Sequence, residues 1–124
     1  LDNSSLKILS ANNNLIYDIS DISSFPNIEE LYISNNKIKN IDTLAKLKHL
    51  KTLVISSNSI EDIYMLSKIK TLENLDLSCN KKLKNITSLT KLKSLRLLCI
   101  SETNISKKEV LRLKRSLPDC EIID

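Results

Sequence analysis

The chain has 124 residues, 41% hydrophobic and 27% charged, with 19 Lys and Arg against 15 Asp and Glu for a net charge of +4. Such a balance suits one folded domain with a continuous core and excludes a disordered tail. No stretch approaches the roughly 18 consecutive apolar residues of a spanning helix, and the absence of glycine excludes phosphate loops of the G-x-G-x-x-G or G-x-x-x-x-G-K type.

The chain opens on Leu1 with no apolar segment of the signal-peptide kind and no evident cap before Leu6, so it is expected to be a piece of a longer protein. From Leu6 the pattern L-x-x-L-x-L-x-x-N-x-L recurs as Leu6-Leu9-Ala11-Asn14-Ile16, Ile28-Leu31-Ile33-Asn36-Ile38, Leu50-Leu53-Ile55-Asn58-Ile60, Leu72-Leu75-Leu77-Asn80-Leu83 and Leu95-Leu98-Ile100-Thr103-Ile105. The starts at 6, 28, 50, 72 and 95 are 22, 22, 22 and 23 residues apart. A fixed period of that length predicts a solenoid, in which equivalent residues form columns on a broad surface.

Within each repeat the x-L-x-L segment, such as Lys51 to Ile55, alternates as a short strand does. Stacked repeats would pair these strands in parallel. Asn14, Asn36, Asn58 and Asn80 follow the strands where the chain turns inward, and their amides can satisfy loop backbone groups that would otherwise be buried unpaired. They are predicted to be structural.

The return legs carry apolar residues every third position, as in Ile41-Leu44-Leu47-Leu50, Ile63-Leu66-Ile69-Leu72 and Ile86-Leu89-Leu92-Leu95. That spacing predicts 3₁₀ or tight helical turns, a thin back and a shallow arc. Ser20, Asp42, Thr43 and Thr87 are the predicted caps. Pro26 should interrupt any helix on the first return leg, and the extra residue in Asn80-Lys81-Lys82-Leu83 should make a small bulge.

After Ile105 the pattern changes. Ser106-Lys107-Lys108-Glu109 is a capping box, and Val110, Leu113 and Leu117 at helical spacing predict an α-helix up to Pro118. Leu117-Pro118-Asp119-Cys120-Glu121-Ile122 then reads as a sixth strand, with Cys120 at a leucine position. The whole is an α/β solenoid: one domain over residues 1–124, with a parallel concave sheet, short convex turns and a cap over 106–124.

These repeats, Ile28 to Ile38 and Leu72 to Asn80 above all, resemble the 22-residue class of the leucine-rich repeat family, which includes bacterial internalin-type proteins and a nuclear phosphatase-regulating subunit. The resemblance spans about residues 6 to 122, with Ala11 and Thr103 as departures in the terminal repeats. It implies a right-handed arc and a non-catalytic scaffold binding another protein through its concave sheet.

In that family's register, one concave column holds Lys7, Glu29, Lys51, Glu73 and Arg96, whose alternating signs predict a self-satisfied cross-strand ladder. A second runs Ile8, Glu30, Thr52, Asn74, Leu97 and a third Ser10, Tyr32, Val54, Asp76, Cys99, Glu121. Tyr32 and Val54, with Ile8 nearby, form an apolar patch, and Glu30, Asp76, Glu102 and Glu121 an acidic half. The expected partner site is therefore Ile8, Glu30, Tyr32, Thr52, Val54, Asn74, Asp76, Leu97, Cys99 and Glu102.

Two lysine files, Lys46-Lys68-Lys91 and Lys48-Lys70-Lys93, are predicted on the back, joined by Lys107, Lys108, Arg112, Lys114 and Arg115 on the cap. They make a nucleic-acid or other anionic surface the alternative partner. Aromatics at 3%, with no stacking platform beside the lysines, argue against nucleic acid. A single histidine, His49, and no second imidazole argue against an enzyme. No cofactor or metal site is expected, nor an oligomer. Three cysteines without a C-x-x-C pair lean towards a reducing cytoplasm, while the internalin resemblance leaves a cell-surface or secreted setting open.

Overall fold

The computed structural model describes residues 3–124; Leu1 and Asp2, at the start of the predicted domain, lie outside the described residues. Six short strands form one parallel sheet in chain order: β1 (Ile8–Ser10), β2 (Glu30–Tyr32), β3 (Thr52–Val54), β4 (Asn74–Asp76), β5 (Leu97–Cys99) and β6 (Glu121–Ile123). Leu31, Leu53, Leu75 and Leu98, the middle residues of β2 to β5, point into the core while their neighbours are half-exposed. That is the period of two expected of a pleated strand with one wet face.

Each of the first four strands returns through a 3₁₀ turn: Ser20–Ser24, Asp42–Lys46, Tyr64–Lys68 and Thr87–Lys91. Leu44, Leu66 and Leu89 sit within these turns with no exposed surface. They meet Leu50, Leu72 and Leu98, equally buried, in one unbroken core. Burying each such side chain contributes about 2 kcal/mol, so stacking many repeats stabilises what one turn of chain could not.

The turns are bracketed differently from the prediction. Ser20, Asp42, Thr43 and Thr87 accept no capping bond. Asp18, Asn40, Asp62 and Asn85 instead place a side-chain oxygen on the N–H two residues on, at 2.9, 2.8, 3.0 and 3.1 Å. This is an Asx turn, which needs the acceptor before the helical geometry begins. Asp18, held by the backbone N–H and then the hydroxyl of Ser20, has its carboxyl lowered below the usual 3.8.

The asparagines form the predicted ladder. Asn36 Nδ2 donates to the carbonyls of Ala11, Ile33 and Ser34 at 3.1, 3.0 and 3.1 Å, and its Oδ1 accepts from Ile16 N–H at 3.0 Å. Asn58 and Asn80 repeat the set one and two turns on, reaching back to Ile33 and Ile55. Asn14 donates only to Ala11 and Asn12 within its own turn. Thr103 keeps a single bond, to the Ile100 carbonyl at 2.7 Å. The bulge explains why that suffices, since Leu83 N–H donates to Asn80 O at 3.1 Å and needs no amide from the next turn.

With no glycine available, the left-handed corner after each strand falls to Asn13, Asn35, Ser57, Cys79 and Glu102, with φ of 61°, 55°, 53°, 58° and 56°. Asn tolerates this region; the other three residue types pay for their Cβ there.

The helix α1 (Lys107–Ser116) is capped by Ser106, whose hydroxyl accepts from Glu109 N–H at 3.2 Å, and it buries Val110 and Leu113 over the last turn. The sixth strand follows, but two residues later than the L-x-x-L frame places it. Leu98 pairs with Ile122, 24 residues on, so Ile122 and not Cys120 takes the leucine position. An α-helix rises about 1.5 Å per residue against about 2.0 Å for a 3₁₀ turn, so the chain needs extra length to regain the sheet.

Candidate binding surface

The register places the predicted residues plainly. Ile8, Glu30, Thr52, Asn74 and Leu97 are successive partners across β1 to β5, and so are Ser10, Tyr32, Val54, Asp76 and Cys99. Neighbouring strands about 4.8 Å apart make each column a continuous row. Nine of the ten predicted residues therefore share one face. The tenth, Glu102, does not: it lies at the left-handed corner beyond β5, where the chain has already left the sheet.

Two further expectations change. Glu121 pairs with Leu97, and Ile123 pairs with Cys99, so the shift in β6 moves Glu121 into the other column. Glu30 lies on β2, among the apolar residues and away from the Asp76 half. The charged column of Lys7, Glu29, Lys51, Glu73 and Arg96 makes no ion pair within 4.0 Å; among the described residues the pairs are Lys39–Glu61, Arg112–Glu109 and Lys114–Asp124. Arg96 instead turns its guanidinium to the carbonyls of Lys93 and Leu95, at 3.3 and 3.2 Å. Exposed cross-strand charges gain too little to immobilise two long side chains.

Tyr32 is half-buried, and its hydroxyl donates to Glu30 Oε1 at 2.6 Å. That bond, with desolvation and the Glu30 charge behind it, raises the phenol above its usual 10.0. A tyrosine so tethered presents its ring in one orientation, which lowers the entropy lost on binding. Next to it stands Val54, and one strand away in the other column Ile8 is 55% exposed.

Towards β4 the face turns polar. Asn74 Nδ2 donates to Thr52 Oγ1 at 3.3 Å, and Asp76 Oδ1 accepts from the N–H and hydroxyl of Ser78 at 2.9 and 2.6 Å. On β5 the Cys99 thiol is raised, first by desolvation and then by the Asp76 and Glu121 carboxylates. It is a poor nucleophile in that setting. No group of three or more His, Cys, Asp or Glu among the described residues is placed to hold a metal ion.

Sequence reasoning missed a polar column at the sheet's exit edge. Asn12 Oδ1 accepts from Ser34 N–H at 2.7 Å, and Ser56 donates its hydroxyl to Ser34 at 2.8 Å. The recurrence of Ser34, Ser56, Ser78 and Ser101 after each strand is the signal that could have found it. Also missed were open grooves between the starts of the 3₁₀ turns, one of about 330 Å³ lined by Lys39, Asn40, Asp42, Glu61, Asp62 and Tyr64. They lie off the concave face.

A family model described as Leucine Rich repeats (2 copies) matches residues 4–46, 26–68 and 48–91. The chain belongs to the leucine-rich repeat family. Proteins of this kind typically mediate protein–protein interactions, and the fold is generally a non-catalytic scaffold. Among solved structures, this leucine-rich repeat chain is similar to a leucine-rich repeat protein of Leptospira interrogans, at 31% identity over 98% of this chain and 32% of that one, with a TM-score of 0.88. It is similar in fold to internalin C2 of Listeria monocytogenes, at 21% identity over 94% of this chain and 50% of that one, TM-score 0.85. Internalin F of the same organism gives 25% identity over 90% and 38%, TM-score 0.73. The chain thus spans between about a third and a half of the solved chains it matches. No curated protein sequence matches it.

Proposed function

We propose that the chain is a non-catalytic module that binds another protein through its concave sheet, with Tyr32 as the anchor. The observation that carries this reading is the register: it sets a tethered aromatic, Val54 and the exposed Ile8 side by side, with Thr52, Asn74 and Asp76 as a polar border. An aromatic anchor beside apolar neighbours, rimmed by polar groups, is the composition that interfaces favour. Leu97 and Cys99 continue the same face towards the cap. The module is expected to be monomeric.

The test is capture of partners from the source cells with the wild type, with Tyr32→Ala, and with Tyr32→Ala combined with Asp76→Asn. Partner retention should fall at least about ten-fold for the single change, in line with a hot-spot residue. An unchanged urea midpoint shows that the fold survives. A partner retained in full by the double variant would remove the concave face from consideration.

A further inference from the structure

Away from the sheet the two signs separate along the return legs, with acids such as Asp42 and Asp62 at or before the start of a 3₁₀ turn and lysines at or after its end. Lys46, Lys68 and Lys91 stand at one repeat position and Lys48, Lys70 and Lys93 at another, all exposed, and none lies within 4.0 Å of a described carboxylate. Two of the six are tied to carbonyls, Lys48 Nζ to Ala45 at 3.0 Å and Lys93 Nζ to Ser116 at 3.2 Å. The second bond joins the last return leg to α1, which packs on the Thr87–Lys91 turn. The basic back therefore runs on into the cap.

The outward side of α1 carries Lys107, Lys108, Arg112, Lys114 and Arg115, and among them Leu111, which leaves 54% of its surface in water. Val110 and Leu113 already supply the helix's contact with the core, so Leu111 is not needed for the fold. An exposed leucine on the polar face of a strongly cationic helix matches a partner that is both anionic and apolar just beneath its charged layer.

We propose that the lysine files and the outer face of α1 form one docking surface for an anionic lipid bilayer. Three features favour a bilayer over other polyanions. The cations spread in two directions, along the repeats and across them, as a sheet of headgroups requires and a single nucleic-acid track does not. Tyr64, 60% exposed at the head of the turn that ends in Lys68, is the one aromatic within the lysine-bearing turns and α1, and a single ring makes no platform for successive bases. Their ammonium groups are mostly unfixed, which suits a delocalised field better than the defined contacts of an acidic protein. On the sheet Glu29, Glu30, Glu73, Asp76 and Glu121 outnumber Lys7, Lys51 and Arg96, so the same headgroups would favour the back over that face and turn the sheet towards solvent.

Vesicle co-sedimentation tests this with phosphatidylcholine alone and with about one third phosphatidylglycerol added. Binding is expected only to the anionic vesicles and should fall as salt is raised. Each lysine near an anionic surface contributes roughly a five-fold factor, so Lys46→Gln, Lys68→Gln and Lys91→Gln together should weaken partitioning by about a hundred-fold. Leu111→Ser should weaken it while leaving the salt dependence intact, and Tyr32→Ala should have no effect, which separates this surface from the concave one. Equal binding to neutral vesicles, or a triple variant that binds as the wild type does, would overturn the proposal. Displacement from the vesicles by single-stranded RNA at equal phosphate concentration would overturn it in favour of nucleic acid.

Discussion

Asn80 ties two turns of chain together with one side chain. Its amide donates to Ile55 of the turn before and to Leu77 and Ser78 of its own, while its oxygen takes the N–H of Ile60. The residue has no exposed surface, so truncation would leave the Leu77 carbonyl and the Ile60 N–H without water or partner, while Ile55 and Ser78 keep their bonds from Asn58 and Ser57. Asn80→Ala should lower the unfolding free energy by roughly 3 kcal/mol, read from urea denaturation. Asn14→Ala, which removes bonds within one exposed turn only, should cost under about 1 kcal/mol. Similar losses at both sites would mean that spanning two turns adds nothing.

At the scale of elements, the bracket before each 3₁₀ turn makes one of them sensitive to acid. The Asp18 carboxyl is lowered chiefly by the Ser20 N–H, so it binds its proton less readily folded than unfolded. Its contribution is complete above the ordinary carboxylate range and is lost as pH falls through the lowered folded value. Asn40 and Asn85 make the same bond without a titrating group. Asp18→Asn should therefore flatten the fall of the urea midpoint between about pH 5 and pH 2, and an unchanged slope would place the acid sensitivity elsewhere.

The same elements show what spacing can and cannot convey. Five strands, four 3₁₀ turns and the shared face of Tyr32, Val54 and Thr52 follow from a 22-residue period, because parallel pairing at constant register repeats whatever the sequence repeats. Cys120 looks like a leucine position by count, yet the length taken up by α1 decides the register of β6. Asp18 and Asn40 were overlooked because capping rules drawn from α-helices point to the residue at the helix start, whereas a tighter turn takes its acceptor earlier. The unpaired Lys51 and Glu73 depend on where flexible side chains settle, which the order of residues along the chain does not encode.

Across the whole molecule the two ends are unlike. Leu6, Leu9, Ala11 and Ile16 of the first turn are only half-buried, whereas Leu31 and Leu53, the equivalents of Leu9, are fully buried and α1 closes the other end. Opening of the stack should start at β1. The amides of Ala11, Ile33, Ile55 and Leu77 occupy the same place in successive turns and donate to Tyr32, Val54, Asp76 and Cys99 in order. Hydrogen exchange in the 124-residue chain should slow from Ala11 to Ile55, and equal protection at all four would contradict an end-first opening.

The constant register has a last consequence. A segment crossing the sheet from β1 to β6 meets Ile8, Glu30, Thr52, Asn74, Leu97 and Glu121, a series in which only Thr52 and Asn74 are neighbours of one kind. Sliding it by a single strand, or reversing its ends, mismatches apolar against charged at several rungs at once. A uniform backbone with uneven side chains thus behaves as a ruler with unequal marks, able to tell both heading and offset.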